Sequence, residues 1–161
     1  MCIRDSSVTA PSTGVFTYEY WLYQVAYTGA DRWFSLGNQG SVSSGNTVGL
    51  SNGNGGGSND WNVYNSTGNP SPTNLTNVTG SWTHHAVTRD SGYNLRLFQD
   101  GVYRASISSS ANSSMAQASM YGGDGVLWVG ARGGSTSEYV NGYFDEIRYS
   151  NNVRYDVSSA S

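Results

Sequence analysis

The sequence predicts an all-β domain, a two-sheet antiparallel β-sandwich, and three observations carry that reading. Charged residues are only 12% of the 161 and Lys is absent, so the straight-chain residues that favour helices are scarce. Aromatic residues reach 13% and fall, with β-branched neighbours, in short runs suited to a pleated, half-buried surface. Gly (21 residues), Asn and Ser separate those runs, which is the chemistry of turns. Short strands at irregular spacing with long polar loops fit a sandwich better than a barrel of even hairpins.

Met1 to Ser6 (M-C-I-R-D-S) follows no strand or helix pattern. It resembles the translation of a sequencing-library adapter and is set apart. The domain is taken as residues 7–161, a fragment of a longer chain. Val15 to Tyr23 alternates, predicting a strand with Phe16, Tyr18, Tyr20 and Leu22 on one face and Thr17, Glu19, Trp21 and Tyr23 on the other. Arg32 to Gly37 reads as a second strand and Asn46 to Leu50 as a weaker third. Asn52 to Asn59 (N-G-N-G-G-G-S-N) is a hairpin tip, after which Trp61 to Tyr64 resumes a strand. Asn65 to Ser81 is a polar loop whose Pro70 and Pro72 cannot sit in a central strand.

Trp82 to Arg104 is the clearest local structure, three strands in a meander. Asp90-Ser91-Gly92-Tyr93 supplies the first turn. Asp100-Gly101 has the two residues a type I′ turn requires, because both central positions need φ above zero. Leu95, Leu97 and Gln99 take one face; Arg96, Phe98 and Asp100 take the other. Ser106 to Gly125 is small and polar, Val126 to Ala131 reads as a buried strand, and Gly142 to Ser150 as the last strong one. Trp21, Trp82 and Trp128 are expected in the core or at its margin.

Composition excludes several classes. A net charge of −3, with eight scattered Arg as the only fixed cations, gives no basic stripe for nucleic acid. No apolar run approaches the roughly 18 residues of a membrane helix. Cys2 is the single cysteine, so intrachain disulfides and multi-thiolate metal sites are ruled out. His84 and His85 are neighbours in a strand and diverge, so they cannot chelate one ion together. The Gly-rich loop lacks the G-x-x-x-x-G-K-S/T pattern of a phosphate cradle.

F-T-Y-E-Y-W-L-Y, W-T-H-H-A-V-T-R-D, L-R-L-F-Q-D-G-V, L-W-V-G and N-G-Y-F-D-E-I-R-Y follow one another in order through most of the chain. Together they resemble the laminin-G-like branch of the concanavalin A-like lectin/glucanase superfamily, a two-sheet jelly roll. Such domains add a strand before the position of Phe16 and an apolar segment beyond that of Tyr155. Here the flanking residues are polar, which underlies the fragment reading.

The resemblance implies a fold more firmly than a function, since this sandwich hosts lectins, adhesion modules, glycosidases and virion components. The expected function is a non-enzymatic recognition or adhesion module that binds glycans or a cell-surface receptor. Its setting would be an extracellular or virion protein, such as a phage tail fibre or a bacterial adhesin, with neighbouring fibre subunits as further partners. A structural spacer or decoration domain and a truncated glycosidase are the alternatives. Glucanases of this superfamily carry E-x-D-x-x-E on one strand, whereas Glu19, Glu138 and Glu146 are the only Glu here and none has that spacing. Asp145 and Glu146 are adjacent and would point to opposite faces of a strand.

Relatives of this type also hold Ca²⁺ at the rim. The candidates for that ion are Asp31, Asp60, Asp90 and Asp124, each beside turn-forming residues; a turn aspartate capping its own backbone is the commoner reading of each. Glycan contacts are expected where an aromatic ring has Asn, Gly or Asp near it, at Trp61, Tyr64, Tyr121 and Tyr139.

Overall fold

A computed structural model describes residues 3–4, 15–27, 31–36, 48–52, 61–64, 78–92, 94–107, 127–131 and 139–156. Its strands are β1 (Ile3–Arg4), β2 (Phe16–Ala26), β3 (Arg32–Leu36), β4 (Val48–Asn52), β5 (Trp61–Tyr64), β6 (Trp82–Arg89), β7 (Leu95–Gln99), β8 (Val102–Ile107), β9 (Leu127–Val129) and β10 (Asn141–Ser150). They form two five-stranded sheets, ordered β1-β9-β3-β4-β5 and β10-β2-β6-β7-β8, with antiparallel pairing throughout. This is the predicted all-β jelly-roll sandwich. The predicted strands all form, with ends shifted by a few residues. Ile3–Arg4, within the stretch set apart above, pairs with Trp128 and Val129. The Gly-rich tip, most of the 65–81 loop and the 108–126 stretch lie outside the described residues.

β2 is an inner strand of its sheet, between β10 and β6. Its alternation places Phe16, Tyr18, Tyr20 and Leu22 in the core, where Val87, Leu95 and Leu97 of the same sheet and Trp33 of the other meet them. Each such burial is worth roughly 1.5–3 kcal/mol, against about 0–1 kcal/mol for a surface ion pair. The aromatic face of β2 therefore sets the stability of the sandwich. Phe144 and Tyr149 of β10 close the core from the sheet's edge, with ring centroids 5.4 Å from Tyr20 and 5.7 Å from Phe16 respectively.

The turns follow their chemistry. Asp100 and Gly101 have φ of 52° and 76°, the left-handed pair a type I′ turn needs. The Asp100 carboxylate accepts the His84 N–H at 2.9 Å, tying the turn to β6. At the other turn Asp90 accepts hydrogen bonds from the backbone N–H of Gly92 and Asn94 and from the Asn94 side chain, with Arg96 at 2.9 Å. Burial would raise its pKa, but these donors and the guanidinium outweigh burial and hold it below the usual value. Asp90 is thus a turn aspartate whose carboxylate is already engaged.

His85 is a core residue between Tyr20 and Trp33, 5.3 Å from each ring. Burial, reinforced by His84, pushes its imidazole down to about 3. The unfolded chain takes up this proton near the ordinary value of about 6.5. The unfolded state therefore binds more protons below about pH 6.5, so stability is full above that pH and falls as pH drops toward the folded value, by up to roughly 1.4 kcal/mol per unit. Melting temperature measured between about pH 7 and pH 5 should fall less steeply for His85→Gln than for the parent. Equal slopes would place the acid sensitivity elsewhere.

Candidate functional site

The outer face of the β10-β2-β6-β7-β8 sheet divides into a covered part and an open part. Residues 151–156 return over it after β10 and act as a strap. Thr17 Oγ1 donates to the Asn152 carbonyl at 2.7 Å and accepts the Arg154 N–H at 3.0 Å. The Arg154 guanidinium donates to Glu19 Oε1, and the Tyr155 hydroxyl donates to Glu19 Oε2 at 2.5 Å. The Tyr155 ring lies 5.4 Å from that of Phe98, which explains why Phe98 is buried although it faces away from the core. Glu19 is only 5% exposed and is the anchor of this arrangement.

Beside the strap lies a cleft of about 500 Å³ lined by Glu19, Trp21, His84, Glu146, Ile147, Arg148, Arg154 and Tyr155. His84 Nε2 stands 3.7 Å from Glu19 Oε2 and its ring lies against Trp21 at 5.3 Å. Burial lowers the His84 pKa, against the opposing pull of Asp100 and Glu146. Arg148 approaches Glu19 at 3.6 Å with its side chain 59% exposed. Glu146 sits at an irregularity where the β10–β2 register shifts between Asp145 and Arg148, with φ of 48°. Its N–H is held by the Asp145 carboxylate at 2.8 Å. The bulge corrects the expectation that Asp145 and Glu146 face opposite ways: both are exposed, and Glu146 lines the outer cleft.

Next to the cleft the face is open, and three aromatic residues cross it in register. Trp82 of β6 pairs with Tyr23 of β2, and Tyr23 with Tyr143 of β10. Ring centroids are 5.7 Å apart for Tyr23 and Trp82 and 6.2 Å for Tyr23 and Tyr143. Trp82 is 46% exposed and Tyr143 64%. The expectation that Trp82 packs in the core or its margin is corrected here. Its odd offset from His85 and Val87 turns it outward, and among the described residues the fully buried tryptophan is Trp33.

None of the sequence-predicted site residues that the structure describes belongs to this ladder. Trp61 and Tyr64 belong to β5, an outer strand of the other sheet, where they pair with Asn52 and Gly49. Tyr139 is exposed just before β10. Tyr121, Asp60 and Asp124 lie outside the described residues. Asp31 is fully buried and its carboxylate accepts the Gln24 side-chain amide at 2.5 Å. Among the described residues no group of three His, Cys, Asp or Glu is placed to hold a metal ion. Outward alternation in β2 and β10 was the signal available for the ladder.

Fold and face together define an antiparallel sandwich of the lectin type with an open aromatic surface. The Laminin_G_3 family, of the concanavalin A-like lectin/glucanases superfamily, matches residues 2–156, and the chain belongs to it. No curated protein matches by sequence. Domain 4 of AbnA, a GH43 extracellular arabinanase from Geobacillus stearothermophilus solved with arabinotriose, is similar in structure. The two share 18% identity at a TM-score of 0.63, over 94% of this chain and 66% of that one. The CBM40 of the Ruminococcus gnavus IT-sialidase, bound to α2,3 sialyllactose, gives 15% identity and 0.64, over 95% and 83%. Domains LG4-5 of the mouse laminin α1 chain give 9% and 0.61, over 94% and 39%. The chain thus spans just under two thirds of the arabinanase domain and well under half of the laminin fragment.

Proposed function

We propose that this domain is a non-catalytic glycan-recognition module of a protein that works outside the cell, a surface adhesin or a phage-tail-type fibre. The observation that carries the reading is the Trp82–Tyr23–Tyr143 ladder, in which exposed Trp82 and Tyr143 flank a half-buried Tyr23. Aromatic planes offer the C–H faces of sugar rings a stacking surface, and neighbouring polar groups fix the hydroxyls. The cleft beside the ladder supplies such groups in Arg148, Glu146 and His84. The glycan ligands named for the arabinanase domain and the CBM40 support the same reading.

The described carboxylates support a binding rather than a hydrolytic role. A retaining glycosidase needs two carboxyl groups about 5–5.5 Å apart and available to the sugar. Glu19 is engaged by Arg154, Tyr155 and Arg148, which leaves Glu146 as the cleft's exposed acid.

Glycan-array binding of the full chain tests the proposal. Reproducible hits should weaken at least about tenfold in Trp82→Ala, equivalent to about 1.4 kcal/mol. Hits indifferent to Trp82 and Tyr143 would move the site to another surface, and a blank array from folded protein would refute glycan recognition.

A further inference from the structure

Resting on that reading, we infer that the ladder takes an internal stretch of a single, uncharged polysaccharide chain lying across strands β6, β2 and β10. Three features of the face lead there. The first is direction. Trp82, Tyr23 and Tyr143 are register partners, so the row runs perpendicular to the strands. Its ring-to-ring steps of 5.7 and 6.2 Å are each comparable to the length of one sugar unit in an extended chain. Successive rings can therefore address successive sugars. Tyr143 stands on the sheet's outermost strand and Trp82 at the start of β6. The row thus reaches the edge of the sheet at Tyr143, a course that suits a chain running on past its last ring, where a pit would select a terminal sugar.

The second feature is tilt. Neighbouring ring planes meet at 61° and 52°. A crystalline polysaccharide presents a flat sheet of sugars and would need coplanar rings. Rings turned by more than 50° at each step instead follow a chain that twists from one sugar to the next, as a soluble chain does.

The third is charge. The ladder residues are uncharged, and the cleft beside them balances Glu19 and Glu146 against Arg148 and Arg154. Arg154 and Arg148 both lean on Glu19. Among the described residues, the solvent-facing carboxylates that follow the ladder on β10 are Asp145 and Glu146, directly after Tyr143 and Phe144. A uronate or sulfate group on the bound chain would meet those two acids. Hydroxyl groups would find acceptors in the acids and a donor fork in Arg148. The complementary ligand is hydroxyl-rich and neutral.

The test is affinity electrophoresis of the full chain in gels containing hydroxyethylcellulose, xylan, mannan, arabinan or laminarin. Polygalacturonate gels and pull-down on microcrystalline cellulose complete the panel. We expect retardation in at least one neutral gel, weaker retardation in polygalacturonate, and no capture on the crystalline solid. Titration with oligomers of the retarding polymer should show affinity rising at least tenfold from disaccharide to tetrasaccharide. Tyr143→Ala should flatten that rise and Tyr143→Phe should keep it, with circular dichroism confirming that both variants are folded.

Equal affinity for di- and tetrasaccharide, preference for polygalacturonate, or capture on crystalline cellulose would overturn the inference while leaving glycan recognition standing. A concentration-dependent dimer abolished by Tyr143→Ala would overturn it in favour of a second copy as the occupant. Failure in every gel together with a blank array would overturn both.

Discussion

Glu19→Ala is expected to lower stability by about 3 kcal/mol, or roughly 6–12 °C in melting temperature for a domain of this size. Glu19 is a buried carboxylate that gathers Arg154, Tyr155, Arg148 and His84 around it. Removing one partner of a buried ion pair costs about 3–5 kcal/mol, because the remaining charge stays desolvated without compensation. Arg154 and Arg148 reach solvent with 33% and 59% of their side chains exposed, so water recovers part of that cost and the lower end applies. The strap should loosen as well, since two of its hydrogen bonds end on this carboxylate. Hydrogen exchange of residues 151–156 should accelerate in the variant. Glu19→Gln keeps an acceptor for the Tyr155 hydroxyl and should fall between parent and alanine variant. A chemical-denaturation midpoint unchanged in Glu19→Ala would show that the strap is held by other contacts.

Gly142→Val is expected to cost at least about 3 kcal/mol, for a steric rather than an electrostatic reason. A Cβ at Gly142 would lie 2.4 Å from the Tyr23 carbonyl oxygen and 3.1 Å from Gln24 Cα. Both are backbone atoms of β2, and they cannot retreat without opening the β10–β2 ladder where its register already shifts. Gly101→Ala provides the contrast. Gly101 has φ of 76° but nothing within 4 Å of an added Cβ, so only the backbone conformation is penalised, by about 1 kcal/mol. Thermal melts of the two variants side by side separate the causes. Similar losses in both would mean that β10 shifts to accommodate the side chain.

The sequence makes the fold legible wherever one face of a strand is buried and the other is not. F-T-Y-E-Y-W-L-Y gave Phe16, Tyr18, Tyr20 and Leu22 to the core by alternation alone, and they are there. The D-G turn was equally readable, because few residues tolerate two consecutive left-handed positions. Phe98 shows where local pattern stops. It faces outward yet is buried, because Tyr155, 57 positions further along, covers it. The Glu146 bulge was likewise hidden: no glycine marks it, and it arises from how β10 pairs with β2.

The candidate site was less legible than the fold. Rings beside Asn, Gly and Asp drew attention to Trp61, Tyr64, Tyr121 and Tyr139. The ladder instead depends on which residues face one another across strands. Tyr23 and Tyr143 are 120 positions apart and become partners only through sheet register. Trp82 could have been turned outward by counting from His85, but its size suggested burial. A large aromatic on a strand is assigned by parity before hydrophobicity, and here parity was the better guide.

The division between Trp33 and Trp82 gives the protein an optical property. Of the five tryptophans, Trp33 is 1% exposed and Trp82 46%, so the summed indole emission contains a contribution shielded from water and one relaxed by it. Acrylamide should quench the second and spare the first. A ligand laid over the ladder would dehydrate Trp82 and shift its emission to the blue, while Trp33 serves as an internal reference. The domain thus carries its own fluorescent reporter of occupancy, and sugars can be screened against it without a label.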